Sequence, residues 1–195
     1  MLFAPLMLQA VFGLSALAAG AGLIPLLLAL IAATAVSGAM IARNGRYRIF
    51  LLMGAALGAA GLALLSRTAP GTPLWATLGA LAVSGAGIGF LIQVVVLAGQ
   101  NAVALRDLGV ATGALNFFKT YGGAAAGALF GALLAARLPA GHADAAQALA
   151  AFDAVFFWAV PLMLLAFLLA WRMPEKPLSP AIIDIAEGRL DVPEY

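Results

Sequence analysis

The 195-residue sequence has no cysteine, a single histidine and few charges: only 9% of its residues are Asp, Glu, Lys or Arg, against the ~25% usual in a soluble domain. Without cysteine neither a disulfide framework nor a thiolate metal site can form, and the redox compartment is left undetermined. His142, with Asp144 close by, falls in a joint rich in Gly, Pro and Ala, where a solvated loop outweighs a metal site. No metal and no cofactor are therefore expected. A net charge of +2 is too small for a basic nucleic-acid surface, and the basic residues lie in short joints rather than in a stripe, so no nucleic-acid partner is expected.

What is abundant is apolar. Hydrophobic residues make up 65% of the chain, and no ionisable side chain occurs between Arg48 and Arg67, between Arg67 and Arg106, or between Asp153 and Arg172. A helix rising ~1.5 Å per residue needs about 20 apolar residues to cross a ~30 Å hydrocarbon core. An open strand would leave its backbone groups unpaired in lipid. The expected fold class is thus all-α, a polytopic membrane helix bundle with five full spans and one partial. The spans are expected at about 1–12, 23–42, 49–65, 74–98, 110–136 and 154–171. Residues 1–173 form the bundle in this reading, and the polar, proline-containing stretch 174–195 is a tail outside the bilayer. The first span has no basic leader of a signal peptide and breaks up in the Gly13 to Gly22 stretch. It reads as the tail of a helix whose beginning is missing.

Orientation follows from the basic residues. If the joint carrying Arg43, Gly45, Arg46 and Arg48 is cytoplasmic, alternation puts Arg106, Arg172, Lys176 and Arg189 on the same side and leaves Arg67 and Arg137 outside. This bias is the positive-inside pattern. The C-terminus is therefore expected to be cytoplasmic.

Small residues recur at helical spacing: Gly54 and Gly58 in the third span, and Gly123, Gly127 and Gly131 in the fifth. Such stripes let helix backbones approach closely in lipid, and helix packing is the expectation; a sliding surface for a moving helix is the functional alternative. The run Ser84-Gly85-Ala86-Gly87-Ile88-Gly89 superficially resembles a nucleotide-binding fingerprint, but it lies within a span and lacks the strand and turn that motif needs.

Catalytic sets are scarce. No Asp or Glu is expected inside any span, Asp153 only bordering the sixth, so no Ser, His and Asp triad can be assembled in the bilayer and no enzyme is expected. The polar residues within spans are Gln9, Gln93, Asn116 and Lys119, and intramembrane polar groups are costly and usually face a bundle interior or a cavity. For Gln9 and Gln93 an interhelical hydrogen bond is as good a reading as a substrate contact. Lys119, near mid-span and on the face shared with Asn116, Gly123 and Gly127, is the stronger cavity candidate, set against a lysine that only snorkels to the headgroups.

The run Leu8-Gln9-Ala10-Val11-Phe12-Gly13, then Ala21-Gly22-Leu23-Ile24-Pro25, then Arg43-Asn44-Gly45-Arg46 resembles the major facilitator superfamily. Gly99-Gln100-Asn101-Ala102-Val103, Leu108-Gly109-Val110-Ala111-Thr112-Gly113 and Asn116-Phe117-Phe118-Lys119 are similar to the C-terminal six-helix half of its fourteen-helix drug:proton antiporter branch. Members often have Pro where Ala104 stands and Arg where Lys119 stands; lysine keeps the charge but loses a planar fork of donors. The resemblance implies a proton-coupled exporter of small amphipathic molecules, working by alternating access of two bundles. It also implies a missing N-terminal half as partner, together with the acidic coupling residues that half carries, and a chain inactive alone. A non-transport membrane subunit that assembles through its glycine faces is the other reading.

Overall fold

The computed structural model describes residues 3–138 and 144–173. The expected tail at 174–195 and His142 lie outside the described residues. Among the described residues seven helices follow in order: α1 Ala4–Phe12, α2 Ala16–Ala21, α3 Ile24–Asn44, α4 Arg48–Leu65, α5 Leu74–Gln100, α6 Leu108–Arg137 and α7 Ala145–Arg172, with one 3-10 turn at Leu105–Asp107. No strand occurs among the described residues. The fold is all-α.

The breaks have local causes. Gly13 adopts φ +64°, and Ser15 restarts the chain as an N-cap whose Oγ accepts from the Ala18 N–H at 3.2 Å, satisfying one of the donors a helix start leaves free. Pro25 stands at the start of α3, where its missing N–H costs nothing. At the other end of α3, Gly45 takes φ +67° and donates its N–H to the Ile41 carbonyl at 2.8 Å. This is a left-handed cap that a side chain would disfavour.

Four segments among the described residues are long and apolar enough to cross a membrane: Ala16–Asn44, Arg48–Leu65, Leu74–Gln100 and Ala145–Arg172. α6 forms where the fifth span was expected, but Thr112, Asn116, Lys119, Thr120 and its glycines make it less apolar than those four. α1, at nine residues, is half a crossing.

α7 begins nine residues before the expected start of the sixth span. Asp144 caps it: its Oδ1 accepts from the Gln147 N–H at 2.7 Å, and Gln147 Oε1 accepts from the Asp144 N–H at 3.2 Å. This reciprocal capping box satisfies two donors at once. Asp153 consequently lies inside α7, eight residues past its first, which corrects the expectation that no acidic residue falls within a span.

The bundle holds together through α5. Gly54 and Gly58 of α4 face Gly87 of α5 so closely that a Cβ at Gly54 would stand 2.9 Å from the Gly87 carbonyl oxygen, and one at Gly87 2.8 Å from the Gly58 Cα. On the other side of α5, Gly85 and Gly89 meet the backbone of α3 at Leu26 and Leu30, and the Thr34 hydroxyl donates to the Gly89 carbonyl at 3.0 Å. Backbone approach of this kind replaces the hydrophobic drive that lipid does not supply.

Two buried clusters mark the ends of the bundle. One joins Met7 and Leu8 of α1 with Leu65, Leu81 and Phe152. The other joins Ile41, Tyr47, Phe50, Phe90, Val94 and Ala170, with the Phe50 and Phe90 rings 5.8 Å apart. α6 is fastened only near its ends: Gln100 donates to the Thr112 hydroxyl at 2.9 Å, and Leu134 joins the first cluster. Leu108 and Leu134 are its only buried residues.

Candidate functional site

The polar residues singled out in the sequence do not converge on one point. Gln9, half-buried, turns its amide back on its own helix, donating to the Pro5 carbonyl at 3.2 Å. Gln93 is exposed and lays its amide across Gly38 of α3, where an added Cβ would stand 3.3 Å from its Nε2. Asn116 and Lys119 are exposed on α6, flanked by Phe117, Phe118 and Tyr121, which are 63%, 68% and 65% exposed. The Phe117 and Tyr121 rings stack at 6.0 Å. No hydrogen bond or ion pair reaches Lys119 among the described residues.

The basic joint is divided in its tasks. Arg43 and Arg46 are exposed, and Gly45 forms the left-handed cap. Arg48 instead joins two helices: its Nη2 donates to the Trp171 carbonyl in the last turn of α7, one of the acceptors a helix end leaves free.

Of the glycines, Gly54 and Gly58 lie in the α4 contact with α5, and Gly58 also lies against the Met163 sulfur, at 3.2 Å from an added Cβ. Gly123 borders open space, Gly127 lines a cavity, and Gly131 has Phe3 at 3.8 Å.

Sequence reasoning missed two features. The Ser84 to Gly89 run, set aside as a false nucleotide motif, supplies both packing faces of α5, and its spacing of glycines at i, i+2 and i+4 was the available signal. Asp153 was the second: its Oδ1 is buried with no hydrogen-bond partner among the described residues. The Asp144 and Gln147 spacing would have revealed the helix that contains it. No group of three or more His, Cys, Asp and Glu among the described residues could hold a metal ion.

No family model matches the chain. Individual proteins do. An uncharacterized MFS-type transporter of Mycobacterium tuberculosis is 41% identical over 131 residues, covering 67% of this chain and 19% of the relative. The aspyridones efflux protein of Neocamarosporium betae is 36% identical over 121 residues, covering 62% and 22%. The chain is homologous to MFS-type transporters. A tetracycline resistance determinant of Streptomyces rimosus adds 36% identity over 110 residues, covering 56% of this chain and 32% of that protein. The matched stretch thus spans about a fifth to a third of the length of these relatives. With its apolar helices, this homology makes the chain a membrane protein.

Proposed function

We propose that this chain works as the C-terminal helical half of a proton-coupled MFS exporter of small amphipathic molecules, in the cytoplasmic membrane with its C-terminus cytoplasmic. The homology to an MFS-type transporter across 67% of the chain and to an efflux protein across 62% of it supports this reading. Relatives named for aspyridones efflux and for tetracycline resistance favour organic small molecules as cargo. The exposed strip with Lys119, Asn116 and flanking aromatics offers one cation and several flat apolar faces, which suits a cargo with both characters. Alternating access needs two bundles that rock about a shared site. The second bundle is the natural source of the carboxylate that Lys119 lacks, and of the proton-binding acids.

The chain alone is therefore inactive in this reading. Purified and reconstituted in vesicles with an imposed proton gradient, it should move no fluorescent dye. The same vesicles carrying a complete transporter that contains this half should move it. Gradient-driven transport by the isolated chain would overturn the two-half reading.

A further inference from the structure

A cavity of about 410 Å³ lies within the bundle between α4, α5, α6 and α7. Its position is set by the two buried clusters. The cavity borders the cluster around Met7 and Phe152, to which its lining residues Val155 and Phe156 belong, and Ile88 and Met163 line it on the side toward the cluster around Phe50 and Val94. The volume exists because the α6 wall is nearly bare there: Gly123 and Gly127 face it, and a Cβ built at Gly123 meets no atom within 4 Å.

The chemistry of the walls narrows the occupant. Among the described residues Ser84 is the only lining residue with a hydroxyl, amide or charge, and its hydroxyl already donates to the Ala80 carbonyl at 3.0 Å. A water molecule needs two to four polar partners to settle in a cavity. A charged or strongly polar ligand would lose its solvation for nothing in return. Phe130, Phe156 and the Met163 thioether instead present polarizable surface, which favours aromatic and hydrocarbon contacts. An apolar cavity of ~150 Å³ already accepts benzene, and ligand sites range over ~300–1,000 Å³. This one suits two or three fused rings or a stretch of acyl chain.

We propose that this mid-bundle cavity binds an uncharged hydrocarbon group taken from the bilayer, either the apolar body of a small molecule or a lipid acyl chain. The site is internal to this chain and distinct from the Lys119 surface. It does not depend on the transport reading, and its test needs no transport.

The full chain in lipid nanodiscs would be exposed to an uncharged aryl diazirine in one arm, and to a phospholipid with a diazirine in one acyl chain in the other. After illumination, adducts would be mapped by mass spectrometry. Adducts at Phe156 and Met163 should saturate with reagent and be displaced by excess naphthalene, whereas those at the outward-facing Leu165 and Leu169 should rise without saturation. Gly123→Phe, which fills the cavity, should abolish the Phe156 and Met163 adducts and spare those at Leu165 and Leu169. Ala126→Leu serves the same purpose should the first variant fail to fold. Saturable labelling in the aryl arm alone assigns the site to small molecules; labelling in the acyl arm that blocks the aryl reagent assigns it to lipid. Adducts at Met163 that never saturate, or that persist in folded cavity-filling variants, would overturn the proposal.

Discussion

Gly87 of α5 sits against Gly58 of α4 backbone to backbone, so that a methyl group on Gly87 would stand 2.8 Å from the Gly58 Cα. Neither helix can yield without disturbing a second contact, because the other side of α5 is seated on α3 through Gly85 and Gly89. Gly87→Leu should therefore destabilise the bundle by ~1–3 kcal/mol or more, the usual cost of overpacking. Gly123→Ala should be neutral or stabilising by up to ~1 kcal/mol, since its site is open and alanine is the better helix former. Thermal unfolding of both variants in one detergent checks this. Equal losses would show that α6 is packed as closely as α5.

The start of α4 and the end of α7 are joined by Arg48, whose guanidinium donates to the Trp171 carbonyl. A hydrogen bond from a charged donor contributes ~1.5–3 kcal/mol. Arg48→Ala should thus raise amide hydrogen exchange in the last turn of α7, where the carbonyl loses its partner, and leave the α3 and α5 contact unchanged. Exchange that is unaltered at Trp171 and its neighbours would show the contact to be dispensable.

The orientation rests on the excess of Arg and Lys on one side of the spans. The absence of native cysteine gives labelling no background. Cysteine replacing Arg46, an exposed residue in the α3–α4 joint, should react with an impermeant thiol reagent only when the inner face is opened. Cysteine replacing Ala69, exposed in the α4–α5 joint, should react from outside. The reverse result would invert the topology.

Asp153 carries a buried carboxylate oxygen without a partner among the described residues, in a helix otherwise rich in alanine and leucine. An unsatisfied buried polar group costs ~1–3 kcal/mol. Asp153→Ala removes that cost and adds a good helix former, so the melting temperature of the purified chain should rise by several degrees. A fall instead would mean that the carboxylate is held by a partner in the membrane-embedded protein.

How much of this was legible beforehand can be judged from these same residues. The apolar runs located the long helices within a few residues, because hydropathy over about 20 positions is an average that single residues barely move. α7 was misplaced at its start for the opposite reason. The charge of Asp153 suggests a boundary, but one acidic residue does not end a helix that a capping box has already begun at Asp144. Gly54 and Gly58 could be seen as a small-residue face, but their counterpart Gly87 could not, since spacing along one helix does not say which helix lies opposite. The cavity was invisible for a similar reason. Gly123 and Gly127 have the spacing of a packing stripe, and only the placement of α6, held near its ends, leaves space beside them.

Lys119 stands 11 residues beyond the first residue of α6, or about 16 Å along the helix, which places it near the middle of a ~30 Å core in the proposed reading of α6 as a span. It is exposed, and no ion pair or hydrogen bond reaches it among the described residues. A charge held at that depth is expensive unless a partner or water compensates it, whereas a lysine that merely snorkels would have to reach most of its own length toward the headgroups. In the proposed two-half transporter its partner is an anionic group of the second half or of the cargo. Lys119→Ala in such a complete transporter should therefore abolish transport while leaving membrane expression intact. Lys119→Arg should retain a substantial part of it, because the positive charge persists even though the donor geometry changes. Purified in detergent, the Lys119→Ala variant of this chain alone should unfold at the same temperature as the parent, since the exposed side chain has no hydrogen bond or ion pair to lose among the described residues. Full transport by the alanine variant would show that the lysine is an interfacial anchor and would remove it from the site.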